Sequence, residues 1–157
     1  MLNRIFLIAD THFGHGKLTM LRGFETVEKH DRELVSCWNS TVKKNDTVWH
    51  LGDVYFGGRN NHTVLGALNG IKRLVLGNHD TYPLEIYQQY FRRIYGAATL
   101  RGWVLTHIPV HPQQLETRFQ GNIHGHLHTA RLDDPRYICV SVEQTGLGPV
   151  LLDEVLA

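Results

Sequence analysis

Arg4-Ile5-Phe6-Leu7-Ile8-Ala9-Asp10-Thr11-His12 is the stretch that decides the architecture. Its apolar run shows no alternation, so it suits a strand buried on both faces rather than one with a wet side. The run stops at an acid, and an imidazole follows two residues on. In extended chain that spacing puts both side chains on one side. Gly14 and Gly16 then mark a loop. The same grammar recurs twice. Thr47-Val48-Trp49-His50-Leu51 leads into Gly52-Asp53, and Ile71 to Leu76 leads into Gly77-Asn78-His79-Asp80. Helices are expected between these strands. One runs from a Thr26 cap to about Val42 with Leu34, Val35, Trp38 and Val42 as its buried stripe, and Asn45-Asp46 turns after it. A short one carries Val64, Leu65 and Leu68 and ends at Gly70, and another runs from Pro83 to about Phe91. Strand, loop and helix three times over predict a right-handed parallel α/β arrangement.

The second half reads as mostly β. Ala98–Leu100 and Trp103–Thr106 form a candidate hairpin around Arg101-Gly102, followed by His107. Gly121–His124, Tyr137–Val142 and a last edge strand, Pro149–Leu152, complete the set. No repeat, linker or low-complexity segment interrupts the chain, and 157 residues predict one domain, 1–157.

Composition narrows the function classes. Hydrophobic content of 42% and charged content of 20% are those of an ordinary soluble protein. The net charge of +1 and pI near 7.9 argue against a broad nucleic-acid footprint, which usually lifts a domain's pI above about 9. No apolar run approaches the roughly 18 residues of a membrane span, and no signal peptide is visible, so a cytoplasmic location is expected. Cys37 and Cys139 lie in apolar surroundings and read as small buried hydrophobes. Eleven histidines bunched in loops are the anomaly, and imidazole is the commonest metal ligand.

Five ordered segments supply candidate ligands: Asp10 with His12, Asp53, Asn78, His107, and His126 with His128. Each follows a predicted strand. In open α/β sheets the carboxyl ends of strands form one rim, so the loops should converge. Carboxylate, amide and imidazole donors together suit two adjacent divalent transition metals (manganese, iron, zinc, cobalt or nickel) over calcium or magnesium; availability decides among them, and manganese is the first expectation. Glycines 52, 77 and 125 should let the backbone turn sharply beside the metals without a Cβ clash. Any one of these acids or histidines alone would pass for a turn, cap or loop residue. Their order and number make the ligand reading the stronger one.

Asp-x-His, Gly-Asp, Gly-Asn-His-Asp, His and Gly-His-x-His in this order resemble the calcineurin-like metallophosphoesterase superfamily, in particular a small bacterial or phage-type subgroup. The resemblance implies a four-layer α/β/β/α sandwich of two mixed sheets with helices outside. It implies that Asp10, His12, Asp53 and His128 hold one metal, that Asp53, Asn78, His107 and His126 hold the other, and that Asp53 bridges them. His79 would stand at the leaving-group oxygen, with Asp80 orienting it from behind. The implied reaction is hydrolysis of a small phosphate ester, phosphodiesters before monoesters, by a hydroxide shared between the metals.

Other residues read less sharply. Arg59, after Gly57-Gly58, is a weak candidate for clamping a substrate phosphate, and Arg22 a weaker one. His30, His50, His62 and His111 read as structural or surface residues, and His15 and His124 as equally suited to hydrogen-bonding behind the ligands. A nuclease using the same ligands is the alternative enzyme, disfavoured by the neutral pI. A binding scaffold without turnover is the non-enzymatic alternative, disfavoured because His79 and every ligand are present. Monomer and homodimer are both open.

Overall fold

Residues 4–58 and 61–157 are described in the computed structural model. Four parallel strands, β1 (Ile5–Ile8), β2 (Thr47–His50), β3 (Ile71–Val75) and β4 (Arg93–Tyr95), build most of one sheet. A fifth strand, β9 (Val150–Leu151), lies antiparallel to β1, giving the order β4-β3-β2-β1-β9. The second sheet has the order β5-β6-β7-β8, from β5 (Ala98–Leu100), β6 (Trp103–Leu105), β7 (Gly121–His124) and β8 (Tyr137–Cys139). Here β6, β7 and β8 are parallel and β5 is antiparallel. Both sheets are therefore mixed.

The apolar run of β1 is explained by a core on each side of it. Phe6 and Ile8 join Leu34, Trp38, Val48, Leu74 and Tyr87 beneath the helices. Leu7 and Ala9 join Trp49, Leu51, Val75, Leu105 and Ile123 between the sheets. Helix α1 (Gly16–Leu21) precedes α2 (Val27–Thr41), whose Thr26 hydroxyl caps the Lys29 amide. The α2 stripe is buried at Leu34 and Trp38, and the Trp38 indole donates to the Asn69 carbonyl at 2.9 Å. A 3-10 helix (Asn61–Ala67) and α3 (Leu84–Gln88) complete this layer. The far face of the second sheet carries a thinner cover, residues 108–120. Buried Asn122 pins it by accepting from the Val110 amide at 2.9 Å, and the Tyr137 hydroxyl donates to the Val110 carbonyl at 2.7 Å. The result is a layered α/β fold of two mixed sheets, as the resemblance implied. No helix among the described residues is long and apolar enough to cross a membrane.

Several boundaries differ from the sequence expectation. Strand β4 was not expected: it is a three-residue edge strand opening on exposed Arg93, with no apolar alternation to betray it. The expected strand Tyr137–Val142 stops at Cys139, after which the chain crosses to the first sheet. The Ala9 amide donates to Val140 and the Val142 amide to Ala9, and helix α4 (Val142–Thr145) begins at once. The expected edge strand Pro149–Leu152 is shorter because Leu152 opens α5 (Leu152–Val155). Pro83 caps α3 instead of entering it, and that helix ends before Phe91. The Arg101-Gly102 turn forms as expected, both residues at positive φ (50° and 85°).

His50 lies on the helix-facing side of β2, fully buried near Trp38 and Phe91. Its Nε2 donates to the Thr11 hydroxyl at 2.9 Å, because that hydroxyl's own proton goes to the Val54 carbonyl. Its Nδ1 accepts from the Gly52 amide at 3.2 Å. Burial pushes its pKa from 6.5 down to about 3. A base depressed in the folded state contributes stability above its unfolded pKa and loses it as pH falls. Unfolding free energy should therefore decline between pH 6.5 and 3, with one proton's share of about 1.4 kcal/mol per pH unit. Denaturant titrations across that range should show a shallower decline in His50→Gln.

Candidate metal centre

The loops after β1, β2 and β3 leave one edge of the first sheet, and those after β6 and β7 meet them there. Main-chain hydrogen bonds weld the rim. The Asp10 amide donates to the Gly52 carbonyl at 3.0 Å, and His12 to Asp53 at 3.0 Å. Gly125 donates to His107 at 3.0 Å. Across the seam between the sheets, Asp10 Oδ2 accepts from the His126 amide at 2.9 Å and the Ser141 hydroxyl at 2.6 Å.

Two clusters result, Asp10 with His12 and His128, and Asp53 with His107 and His126. Within each, one donor atom per residue lies within 4.8 Å of the others. Asp53 Oδ2 stands between them, 3.5 Å from His12 Nε2 and 3.3 Å from His107 Nε2. Asp10 Oδ1 lies 3.8 Å from His12 Nε2 and 3.9 Å from His128 Nε2. Asp10 Oδ1, His12 Nε2 and His107 Nε2 are buried without a hydrogen-bond partner. Unpaired buried polar atoms are costly and rare, and three converging ones suit divalent cations. Ring orientation agrees. His107 Nδ1 donates to the Leu51 carbonyl at 2.7 Å, which leaves the Nε2 lone pair facing the cluster.

The backbone is strained at the same positions. Asp10, His12, Asp53, His126 and His128 all have φ between 48° and 70°. Left-handed conformation in a non-glycine residue costs about 1–3 kcal/mol and persists only where the surroundings fix it. The rim hydrogen bonds supply that constraint.

Electrostatics follows from the packing. Burial works against ionisation of Asp10, but the nearby imidazoles and the Ser141 hydroxyl prevail and hold its pKa at about 2. Burial likewise opposes Asp53, yet His107, the His79 amide and His12 lower it. The His107 imidazole moves the other way: burial disfavours its charge, and the Asp53 and Asp10 carboxylates raise it.

The remaining residues of the sequence reading fall as follows. His79 is exposed. Its amide donates to Asp53 Oδ1 at 2.9 Å, and its ring lies 5.8 Å from that of His12 and 5.7 Å from that of Phe56. Asn78 is also exposed and lines an open cleft of about 350 Å³ with His107 and Ile108. Asp80 does not stand behind the His79 ring. Its carboxylate accepts the amides of Asp53 and Gly77 at 2.8 Å each and of Val54 at 2.9 Å, clamping two ligand loops together. Arg22 is no phosphate clamp, since its side chain is 5% exposed. Its guanidinium is consumed by Glu143 and by the Asp10 and Thr11 carbonyls. Arg59 lies outside the described residues. His15 caps α1 by accepting from the Leu18 amide, and its ring packs tilted against that of Phe56 with centroids 4.4 Å apart. His124 contacts the Gly125 carbonyl, His62 the Tyr90 hydroxyl and His111 the Gln113 amide.

Three site residues escaped the sequence reading: Ser141, Glu143 and Thr11. Glu143 sits on α4, where its Oε1 lies 2.9 Å from His128 Nδ1. No spacing rule links it to His128, so only the fold reveals it.

The glycines act by close approach more than by turning. Of glycines 52, 77 and 125, only Gly52 has positive φ, 93°. A Cβ on Gly77 would lie 2.2 Å from Asp53 Oδ1, and one on Gly125 would lie 2.6 Å from Asp10 Oδ2. Gly77→Ala should therefore displace the Asp53 carboxylate and weaken metal binding at both clusters by at least about tenfold. Calorimetric titration with Mn²⁺ reads this directly.

The sequence matches the calcineurin-like phosphoesterase family over residues 3–141. It is 32% identical to protein MJ1445 of Methanocaldococcus jannaschii over 99% of this chain and 90% of that one. It is 33% identical to the gene 66 protein of Mycobacterium phage D29, over 90% and 89%. Among solved structures, protein AQ665 of Aquifex aeolicus superposes with a TM-score of 0.75 at 27% identity over 98% of each chain. An archaeal phosphodiesterase shares the fold at a TM-score of 0.51 and 20% identity, over 88% of this chain and 82% of that one.

Proposed function

The chain belongs to the calcineurin-like phosphoesterase family, and from that premise we propose that it hydrolyses phosphodiesters, and monoesters less well, at a centre for two divalent metal ions. The observation carrying this reading is the placement of Asp53 Oδ2, within 3.5 Å of an imidazole nitrogen of each cluster. In this reading Asp10, His12, Asp53 and His128 hold one ion. Asp53, Asn78, His107 and His126 hold the other, and manganese heads the candidate metals. Two such ions would supply Lewis acidity towards a phosphoryl oxygen and would make a water acidic enough to furnish the nucleophile.

The chain's own residues do the rest. His79, exposed at the mouth of the centre, donates a proton to the departing alkoxide. Its main chain is held by the hydrogen bond that its N–H donates to Asp53 Oδ1, and Asp80 takes no part in it. Asp80 serves as the clamp that keeps the Asp53 and Asn78 loops at working distance. His15 and Phe56 line the side of the site next to His79 and offer an aromatic wall to the leaving group. The exposure of Asn78 and His79 supports a small or loosely held substrate.

Full-length protein supplied with Mn²⁺ should hydrolyse bis-p-nitrophenyl phosphate faster than p-nitrophenyl phosphate, and a chelator should abolish both. Absence of turnover across mono-, di- and cyclic phosphoesters would sink the proposal. His79→Ala should retain both ions yet lose about 10²–10⁴-fold in kcat on alkyl leaving groups. The loss should be much smaller on p-nitrophenolate, which needs no proton. Asp53→Ala should bind neither ion tightly, as metal analysis after gel filtration would show.

A further inference from the structure

The two clusters are held by different means. In the Asp53 cluster the ring of His107 is locked by a main-chain carbonyl, Leu51 O at 2.7 Å, inside the seam. In the Asp10 cluster no carbonyl does this for His128. Its side chain is 32% exposed and its Nδ1 meets Glu143 Oε1 at 2.9 Å. The same Oε1 receives Arg22 Nε at 2.9 Å and Nη2 at 2.7 Å. Arg22 in turn reaches the Asp10 carbonyl at 2.6 Å, the Thr11 carbonyl at 3.0 Å and His30 Nε2 at 3.0 Å. A carboxylate can only accept, so it draws the His128 proton to Nδ1 and leaves the Nε2 lone pair facing Asp10 Oδ1. The guanidinium meanwhile grips the peptide that carries Asp10 in its left-handed conformation. One ion pair, between a residue capping α1 and a residue of α4, thus fixes both the ring and the acid of a single cluster. Glu143 lies beyond residue 141, where the family match ends.

We propose that Arg22 and Glu143 are positioning residues for the Asp10–His12–His128 metal site alone, setting the tautomer and orientation of His128 and the backbone of Asp10. The role rests on the two-ion reading above for its consequence in metal affinity, but the His128 tautomer does not depend on that reading. Carboxylate partners of metal-binding histidines are commonly worth about 10–100-fold in metal affinity.

The test has two readouts on the whole chain. Competition of Mn²⁺ against a chelator gives the two affinities. Nitrogen-detected NMR of the metal-free protein at alkaline pH gives the His128 tautomer. Glu143→Leu should weaken one of the two ions by about 10–100-fold, leave the other unchanged, and release His128 into a tautomer mixture. Glu143→Gln should rescue both readouts. Its amide carbonyl can take the place of Oε1, and its nitrogen the place of Oε2, which is buried without a partner. Should Glu143→Leu fail to fold because it strands the guanidinium, Arg22→Met combined with Glu143→Leu carries the same expectation. The proposal is overturned if both ions weaken together, or if the affinities and the tautomer match those of the parent chain. A parent chain that binds a single ion overturns the two-ion reading instead, and the tautomer measurement then decides the role of Glu143.

Discussion

The centre depends on Asp10 dividing its carboxylate between two tasks. One oxygen accepts the His126 amide and the Ser141 hydroxyl, and so ties the rim of the first sheet to that of the second. The other is buried, unpaired and within 4 Å of two imidazole nitrogens. Without the first bond the histidines of the Gly125–His128 loop would have no fixed distance from the first sheet. Without the second oxygen there would be nothing for them to converge on. One side chain thus supplies both the hydrogen bonds that join the two rims and the unpaired oxygen on which the histidines converge.

The surrounding structure is organised to hold strain. Five residues of the two candidate clusters adopt left-handed backbone, and summing about 1–3 kcal/mol each gives an amount comparable to the whole stability of a domain this size. What offsets it is local: the Asp80 clamp on three amides, His50 under the Thr11 hydroxyl, and the Arg22 guanidinium on two carbonyls. None of these groups touches the cluster atoms directly. They hold the peptide planes in conformations that the chain would otherwise abandon.

Much of this was legible in the sequence, and the limits have physical reasons. β1 announced itself because a strand with a core on each side needs apolar residues at every position. The ligand loops were readable because they follow such strands in parallel, which forces their carboxyl ends onto one rim. β4 was not, since an exposed edge strand has no pattern to enforce. The division of labour at Asp80 was misread because a carboxylate next to a histidine in sequence invites pairing, whereas its contacts run to amides 26 and 27 residues earlier. Glu143 and Ser141 were invisible for a related reason. Their partners are 15 and 131 residues away, and the geometry joining them exists only after the chain crosses from one sheet to the other at Val140. Glycines 52, 77 and 125 give the Cβ clearance expected of them, Gly77 and Gly125 beside a carboxylate, while positive φ is confined among the three to Gly52.

The antiparallel pairing of β9 with β1 and the bridge between Ala9 and Ser141 have a consequence for how the molecule is made. The strand that leads to Asp10 is made long before its neighbours on one flank, Val150–Leu151 and Ser141. A nascent chain can assemble β1, β2 and β3 with their helices early. His126, His128, Ser141 and Glu143 reach that platform only after the second sheet has been made. Contacts separated by so much chain are slow to form, so the Asp10 cluster is assembled after the platform it stands on, by the same segment that closes the sheet.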